Sequence, residues 1–256
     1  MRSQFLGVEI DPLTTSETVA RAMHAMRTND LTQHVAINVA KLVKARHDAD
    51  LRRDITDSHI VGVDGMGIVW GARLLGVDVP ERVAGIDLME RVLEACAREG
   101  FRPYFLGAKQ DVLDRAVAEA KRRWPRLEFA GYRDGYFTRD DEHEVVRQIR
   151  MTGADCLFIG MPTPHKERFL RRYRDDLGVP FIMGVGGSFD VLAAHVRRAP
   201  AAVQRAGLEW AYRIYQEPRR MWWRYASTNT IFLGLIGKAL IERVRHRGNA
   251  ASPGPA

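Results

Sequence analysis

Five turns rich in glycine and polar residues follow short apolar runs, and they hold the side chains best suited to chemistry. The first is Asp64-Gly-Met-Gly67. An aspartate at the end of a buried strand, ahead of glycines and a helix, can serve as a general base in a cleft. The same aspartate can instead be a plain helix N-cap, and the turn taken alone leaves both interpretations open.

The second and third turns suit a nucleotide. Leu106-Gly-Ala-Lys-Gln110 joins a strand to a helix, so its amides can receive a pyrophosphate, unless it is an ordinary βα turn. In Gly131-Tyr-Arg-Asp-Gly-Tyr136 an aromatic ring can stack on a nucleobase, or the segment is only a connecting loop. The sequence contains neither GxGxxG nor GxxxxGKS/T, so neither a dinucleotide fingerprint nor a P-loop is indicated.

The fourth and fifth turns add charge and backbone access. In Gly160-Met-Pro-Thr-Pro-His-Lys-Glu167 the cation Lys166 can neutralise a leaving phosphate, or the residues form a solvated first helical turn. In Gly184-Val-Gly-Gly-Ser-Phe-Asp190 the aspartate can accept hydrogen bonds from ribose hydroxyls, or cap a glycine-rich turn. Because all five turns fall at one edge of the predicted sheet, they indicate a site for a phosphorylated, hydroxyl-rich ligand, most simply a nucleotide sugar.

No acidic pair follows a strand in the manner of a motif that holds a divalent ion under a diphosphate. Asp140-Asp-Glu-His143 and Asp48-Ala-Asp50 occur in charged, helix-flanking segments that read as solvated surface. We therefore expect no metal and no other cofactor. Arginine or lysine must then offset the charge of the leaving group, and Arg82 and the C-terminal arginines are the candidates.

The elements that position these turns alternate between short apolar runs and longer helical patterns. The predicted strands are Val35–Asn38, Ile60–Val63, Pro103–Leu106, Glu128–Ala130, Cys156–Ile159 and Pro180–Met183. The predicted helices are Ser16–Thr28, Val39–Ala49, Gly67–Leu75, Asp87–Glu99, Gln110–Trp124, Asp140–Thr152 and Lys166–Asp176. Strands that are apolar on both faces and separated by helices argue for an α/β fold with a mostly parallel, helix-covered sheet.

The last part of the chain differs in charge and composition. Residues 197–247 hold eleven Lys and Arg against three Glu, while the whole chain has a net charge of +7, so this segment supplies the entire positive balance. Arginines interleaved with Trp and Tyr suit a surface where phosphates meet an apolar layer, either a membrane interface or nucleic acid. We predict a catalytic core at 1–195, a basic, aromatic helical appendage at 196–247 and a disordered tail at 248–256.

The appendage is expected to form two helices, because Pro218 breaks the helical pattern. We expect Trp210 and Tyr212 to be buried against the core. The apolar run at 230–241 is long enough to lie on a membrane but too short to span one. Three arginines would align on one face of a continuous helix: Arg213, Arg220 and Arg224.

Composition narrows the protein class. At 256 residues, with 46% hydrophobic and 28% charged residues, the chain can bury one substantial core. The two cysteines, Cys96 and Cys156, lie in apolar stretches without a partner motif, so a reducing cytoplasm is the simpler environment. The N-terminal apolar stretch is too short for a signal peptide.

The motifs together resemble a known family. They are Asn38, Asp64-Gly-Met-Gly, Glu81-Arg-Val-Ala-Gly-Ile-Asp87, Leu106-Gly, Gly135-Tyr-Phe, Gly186-Gly-Ser-Phe-Asp190, Arg197-Arg-Ala-Pro, Gly207-Leu-Glu-Trp210 and Glu217-Pro-Arg-Arg220. This series, running from about residue 5 to 235, resembles the WecG/TagA/CpsF glycosyltransferases. The resemblance implies a Rossmann-like core and inverting, metal-independent transfer from a UDP-sugar. It also implies a polyprenyl-diphosphate-linked acceptor at the inner leaflet of the cytoplasmic membrane, and it allows a homo-oligomer.

The resemblance also implies roles for individual residues. Asp64 would be the general base, Tyr136 and Asp190 would contact the uridine, and Arg82 would face the diphosphate. The further catalytic candidates are Asn38 and Lys166. The remaining nucleotide-sugar candidates are Gly65, Gly67, Gly107, Gly135, Gly187, His165 and Glu167. The appendage arginines expected at the lipid diphosphate and membrane are Arg213, Arg219, Arg220 and Arg224.

Two departures from the teichoic-acid members of the family bear on the donor sugar. Their Thr-x-Asn is Ala36-Ile-Asn38 here, and their Pro-Lys-Gln-Glu is Pro164-His-Lys-Glu167, which puts Lys166 in place of glutamine. The sequence looks closer to the branch that builds xanthan-type exopolysaccharide, and we therefore expect glucose as the donor sugar. The alternative is N-acetylmannosamine or N-acetylmannosaminuronate. The alternatives from other classes are a nucleic-acid-binding protein and a catalytically silent scaffold.

Overall fold

The computed structural model describes residues 2–216 and 218–250, without the side chains of residues 201, 220, 221, 224, 244 and 246–250. Its centre is a six-stranded sheet in the order β4-β3-β8-β7-β5-β6, parallel throughout. The strands are β3 (Thr32–Ile37), β4 (Ile60–Val63), β5 (Pro103–Gly107), β6 (Gly131–Arg133), β7 (Cys156–Gly160) and β8 (Phe181–Gly184). An antiparallel pair, β1 (Ser3–Phe5) and β2 (Val8–Ile10), precedes them.

Helices cover both faces of the sheet. They are α1 (Thr15–Thr28), α2 (Val39–His47), α3 (Ala49–Thr56), α4 (Met66–Leu74), α5 (Gly85–Glu99), α6 (Gln110–Arg123), α7 (Glu142–Met151), α8 (His165–Tyr173), α9 (Ser188–Leu192), α10 (Ala201–Arg205), α11 (Glu209–Gln216) and α12 (Pro218–Ala250). The predicted α/β architecture with a parallel sheet, flanking helices and a helical C-terminal part is confirmed.

Alternate strand residues supply two separate cores, as a pleated strand requires. On β5, Phe105 packs with α1, α5 and α6, whereas Tyr104 and Leu106 pack with α7 and α8. The Cys96 and Cys156 thiols meet in the first of these cores, with their Sγ atoms 3.8 Å apart and both side chains fully buried. A third core lies under β1, β2, α2, α3 and α4.

Three of the differences between the structure and the sequence-based prediction lie in the sheet core. The sixth strand lies at Gly131–Arg133 rather than at Glu128–Ala130. The helix predicted over Val39–Ala49 ends at His47, because the Asp48 side chain accepts a hydrogen bond from the backbone N–H of Leu51 and caps a new helix. The β1–β2 pair was not predicted, since each strand has only three residues.

The C-terminal segment, defined here as residues 197–250 and comprising α10, α11 and α12, packs on the third core. Its last two helices separate just before Pro218, as predicted. Phe232 and Ile236, one turn apart on α12, are buried against Gly71 of α4. A Cβ added to Gly71 would lie 2.8 Å from Phe232 Cζ and 2.9 Å from Ile236 Cδ1, so a side chain at Gly71 would displace them. The Phe232 ring centroid also lies 6.4 Å from that of Phe5.

The helical face that meets the core therefore differs from the predicted one. Trp210 was expected to be buried but is 39% exposed, and Tyr212 is half-buried. The run at 230–241, expected to lie on a membrane, has Phe232 and Ile236 in the core, while Leu233 is exposed. Within residues 2–216 and 218–250, no helix is both long enough and apolar enough to cross a bilayer. Residues 251–256 of the predicted tail lie outside the described residues.

Candidate active site

A cavity of about 1250 Å³ opens at the carboxyl ends of the parallel strands, where an α/β sheet binds its ligands. Each of the five turns contributes at least one lining residue: Asp64, Ala108, Tyr136, Lys166 and Asp190 are examples. The C-terminal segment closes one side with further lining residues, among them Arg197, Arg198, Glu209, Tyr212 and Arg213. The structure thus brings the predicted turns to one place.

Asp64 lies half-buried in the cavity wall, directly after β4, and its backbone N–H donates to the carbonyl oxygen of Ile37 at 2.8 Å. The helix-cap interpretation of Asp64 is wrong. Gly65, with a φ of 107°, holds the N-cap position of α4, and no side chain makes a cap hydrogen bond there. The positive φ suits glycine and turns the chain so that the Asp64 carboxylate is left for the cavity.

The electrostatic surroundings of Asp64 favour a carboxylate that can take up a proton. Its enclosed position raises the pKa of Asp64, and the negative charge of Glu209 also raises it. The positive charges of Arg82, Arg213 and Lys41 act in the opposite direction. The net effect is a pKa above the ordinary aspartate value, which is suited to a general base working near neutral pH.

Asn38 lines the cavity and also starts α2. Its Oδ1 accepts a hydrogen bond from the backbone N–H of Lys41 at 2.9 Å, so it is a helix N-cap. This contact fixes the asparagine side chain at the cavity wall. It also sets the first turn of α2, from which Lys41 extends into the same cavity.

A buried lysine cluster, formed by Lys41, Glu167 and Lys166, lies below Asn38. Lys41 Nζ is 3.0 Å and Lys166 Nζ is 2.7 Å from the same atom, Glu167 Oε1. Lys166 Nζ also donates to the Thr163 hydroxyl at 2.7 Å, and that hydroxyl donates to Glu167 Oε1 at 3.1 Å. Gly184 makes room for this arrangement, because an added Cβ there would lie 2.8 Å from Lys166 Cε.

The lysine cluster has more positive than negative groups. Burial and the neighbouring Lys41 lower the pKa of Lys166 to about 7. Burial alone would raise the pKa of Glu167, but the two lysines outweigh it and hold that pKa at about 2. Lys41 and Lys166 both line the cavity, whereas Glu167 does not. The sequence analysis did not identify Lys41 as a site residue. The one sign of its role in the sequence is that this lysine interrupts the otherwise apolar stretch Val39–Val43.

The other predicted nucleotide contacts divide into two groups. Tyr136, which is 73% exposed, lines the cavity with Asp190 and Gly187. The glycines at 107 and 135 are outside the lining and are required for packing instead. An added Cβ on Gly107 would lie 2.6 Å from the Gly160 carbonyl carbon, and one on Gly135 would lie 2.9 Å from Gly107 Cα. Four further candidates are outside the lining as well: Gly65, Gly67, His165 and Glu167.

The predicted arginines occupy different places. Arg82 forms an ion pair with Glu209 at the start of α11 and does not itself line the cavity. Arg213 lines the cavity, and Arg219 is exposed on α12 outside it. The side chains of Arg220 and Arg224 lie outside the described residues. Among the described residues, no group of three His, Cys, Asp or Glu side chains is placed to hold a metal ion.

Comparison with known proteins gives two findings. A family model described as "Glycosyl transferase WecG/TagA/CpsF family" matches residues 3–247. A protein of Bacillus spizizenii (strain W23) is 34% identical over 190 residues, covering 74% of this chain and 70% of its own. A protein of Bacillus subtilis (strain 168) is 34% identical over 180 residues, covering 70% of this chain and 69% of its own. Both bear the name N-acetylglucosaminyldiphosphoundecaprenol N-acetyl-beta-D-mannosaminyltransferase.

Proposed function

The chain belongs to the WecG/TagA/CpsF family and is a glycosyltransferase, and on that premise we propose that it transfers an N-acetylmannosaminyl unit from UDP to a polyprenyl-diphosphate-linked N-acetylglucosamine. The observation that carries the proposal is Asp64, a carboxylate of raised pKa in the wall of a cavity of about 1250 Å³, with lysines and arginines around it. A cavity of this kind suits an anionic, hydroxyl-rich donor.

The donor sugar in this proposal differs from the glucose expected from the sequence. Both relatives named above act with N-acetylmannosamine, which supports the alternative rather than the glucosyltransferase branch. Family membership also leaves the nucleic-acid-binding and scaffold alternatives without support. The polysaccharide and the oligomeric state stay predictions of the sequence.

The proposed reaction is a single displacement with inversion at the anomeric carbon. Asp64 takes the proton of the acceptor hydroxyl while that oxygen bonds to the anomeric carbon. The bond from that carbon to the UDP oxygen breaks, and UDP leaves with the electron pair. Arg82, Arg213 and the loop amides offset the developing charge. In this mechanism no metal is needed, so excess EDTA should leave turnover unchanged.

A second donor is favoured by a specific observation. The lysine cluster places two ammonium groups on one carboxylate oxygen, and both lysines line the cavity. A carboxylate on the sugar would complete this buried charge set, whereas a neutral sugar would leave it in positive excess. N-acetylmannosaminuronate is therefore the second candidate.

The test is a donor panel assayed with a short lipid-diphosphate N-acetylglucosamine acceptor, with products identified by mass. The panel contains UDP-linked N-acetylmannosamine, N-acetylmannosaminuronate, N-acetylglucosamine and glucose. Lys166→Gln is the matched variant: it should lower use of the uronate more than tenfold, because a charged contact is lost, and leave the neutral sugar nearly unaffected. Transfer of glucose alone, or of none of the four sugars, would contradict the proposal.

We also place the working enzyme at the cytoplasmic face of the membrane, where the acceptor lipid is held. The support is the set of exposed aromatic side chains beside arginines in the C-terminal segment: Tyr215, Trp222 and Trp223. In flotation with anionic vesicles, Trp222→Ser/Trp223→Ser should bind more weakly than wild type. Tyr132→Ser, which removes an exposed aromatic from β6, is the control. Equal flotation of all three proteins would contradict membrane association.

A further inference from the structure

Glu209 is the point at which the C-terminal segment meets the catalytic cavity. It is the first residue of α11, it lines the cavity, and its Oε2 pairs with Arg82 Nη1. Arg82 lies in the loop before α5, which is fixed to the end of β4 because the Val83 N–H donates to the Val63 carbonyl at 2.8 Å. Asp64 follows Val63 directly, so Glu209 and Arg82 meet beside the predicted base.

A second arginine connects the same carboxylate to the core. Arg198 makes two hydrogen-bonding contacts of 2.6 Å with the Asp87 carboxylate in the first turn of α5. Its Nε lies 3.8 Å from Glu209 Oε1. The arginine cluster, defined as Arg82, Glu209, Arg198 and Asp87, thus links the loop, α5 and α11 through one glutamate.

The location of this pair argues against a purely structural role. Exposed ion pairs contribute little to stability. The Arg82 and Glu209 side chains are only 13% and 24% exposed, and Glu209 faces the cavity rather than bulk solvent. A carboxylate in the wall of a cavity that receives an anionic donor repels that donor. A compensating role for Glu209 is to hold the Arg82 guanidinium in a fixed orientation.

We propose that Glu209 is a positioning residue that orients the Arg82 guanidinium beside Asp64 through the ion pair between them. The inference rests on the proposed function, because Arg82 is the group taken to offset charge on the leaving UDP. In this role Glu209 acts through Arg82 rather than on the substrate. It couples the position of the C-terminal segment to the chemistry.

Kinetics of matched variants test the proposal. Glu209→Gln should reduce kcat by about tenfold to a hundredfold, with the donor KM within about threefold, because the loss is in the transition state. Arg82→Gln should cost about the same, and the double variant little more, since both remove one shared contact. Glu242→Gln, which breaks an exposed pair with Lys238 on the same segment and leaves Glu209 and Arg82 in contact, should stay within about threefold of wild type. An equal loss in Glu242→Gln and Glu209→Gln, or a normal kcat in Glu209→Gln, overturns the proposal.

The pH profile gives a readout that a structural role would not move. Arg82, Arg213 and Lys41 act to lower the pKa of Asp64, while Glu209 acts to raise it. If Glu209 holds Arg82 in place, Glu209→Gln removes the influence of both groups on Asp64, and because the influence of Arg82 is the larger, the acid limb of kcat/KM should shift to higher pH. Glu209→Asp, which keeps the charge, should not shift it. A shift to lower pH in Glu209→Gln is the result of losing one negative charge while Arg82 stays in place, and it overturns the proposal.

Hydrogen exchange separates this inference from the proposed function. If the wild-type chain transfers no sugar from any donor, the proposed function fails, but docking of α11 can still be measured. Amides of residues 209–216 should then exchange faster in Glu209→Gln and in Arg82→Gln, by the same factor, and no faster in the double variant. Unchanged exchange in these variants overturns the inference by itself.

Discussion

The cavity has two charged ends that are built in opposite ways. In the lysine cluster, Lys41, Lys166 and Glu167 all come from helices of the sheet core and are at most 9% exposed. In the arginine cluster, Arg82 pairs with Glu209 and Asp87 with Arg198, which lie 127 and 111 residues apart in the chain. The first end is complete once the core has folded, and the second exists only after the C-terminal segment has docked.

This difference determines what each end can do. Buried lysines are costly to desolvate and are held by several contacts, so the lysine cluster is rigid and suited to selecting a substituent of the donor. The Arg82–Glu209 and Arg198–Asp87 pairs are more exposed than the lysine cluster, so they should cost less to break. The arginine cluster is therefore suited to forming and breaking as the C-terminal segment docks and undocks. Donor selection by the lysine cluster and docking through the arginine cluster can be tested separately.

The largest effect is expected at Asp64, on which charges of both clusters act. Asp64→Asn removes the proposed base without changing either cluster, so kcat should fall by about a thousandfold or more while UDP still binds. Rapid-quench kinetics and calorimetric UDP titration measure the two quantities. Near-normal turnover in Asp64→Asn would remove the base assignment. Loss of UDP binding would mean that Asp64 is needed to bind the donor and not only to take the proton.

The next largest effect should come from breaking the lysine cluster. Glu167→Gln leaves two buried lysines without their carboxylate and should cost about 3–4 kcal/mol of unfolding free energy at pH 6. The cost should shrink by pH 9, because Lys166, with its pKa of about 7, is then neutral in the folded wild type and no longer forms an ion pair with Glu167.

The matched control for that variant lies on the C-terminal segment. Glu242→Gln breaks an exposed pair, in which Lys238 Nζ and Glu242 Oε1 are 3.8 Å apart, and should cost less than about 0.5 kcal/mol at either pH. Urea unfolding at pH 6 and pH 9 measures both variants. Equal, pH-independent losses would contradict the distinction between a rigid buried end and a loosely held one.

The attachment of the C-terminal segment can be weakened without touching either cluster. Phe232→Ala removes a buried ring from the contact with Phe5 and should cost about 3 kcal/mol. Its neighbour Leu233, which is 68% exposed, provides the control, and Leu233→Ala should change stability by less than about 0.5 kcal/mol. Urea unfolding reports the stability, and a parallel fall in kcat for Phe232→Ala alone would show that docking is needed for turnover.

The effect that is smallest at neutral pH, and grows only in acid, is expected at His34 near Lys41. His34 is buried with neither ring nitrogen hydrogen-bonded, and burial together with Lys41 lowers its pKa to about 3. Between pH 6.5 and 3 the unfolded chain binds a proton that the folded chain does not. The free energy of unfolding therefore decreases by up to about 1.4 kcal/mol for each unit by which the pH is lowered. His34→Leu should flatten this fall in acid unfolding curves, whereas the exposed-site change His24→Gln should leave it unchanged.

The sequence predicts the elements well where a local pattern decides them. The strand Ile60–Val63 and the position of Asp64 after it were read correctly, because four apolar residues followed by Asp-Gly have few other solutions. The sequence could not decide whether Asp64 is a base or a helix N-cap, since that depends on the backbone φ of 107° at Gly65. The strand at 131–133 was misplaced because its short, half-polar sequence has no strong period.

Contacts between distant parts of the chain were the least predictable. Lys41 and Glu209 entered the site through partners more than a hundred residues away, and no local spacing indicates such a pairing. Trp210 was expected in the core because it is large and aromatic. Phe232 is buried in its place, because it lies on the face of α12 that meets the β1 side of the molecule.

The contact between Phe5 and Phe232 has a consequence for the time at which the protein becomes active. Synthesis proceeds from the N-terminus, so the ribosome releases the sheet, its five turns and Asp64 before it has made Glu209 and α12. A nascent chain at that stage has the cavity without the wall that the C-terminal segment supplies, and its Arg82 lacks the partner Glu209. Because the closing contacts join residues far apart in sequence, they form late. On the proposed role of Glu209, catalytic competence begins only after the chain has grown past α12, which would delay sugar transfer until the C-terminal segment is in place.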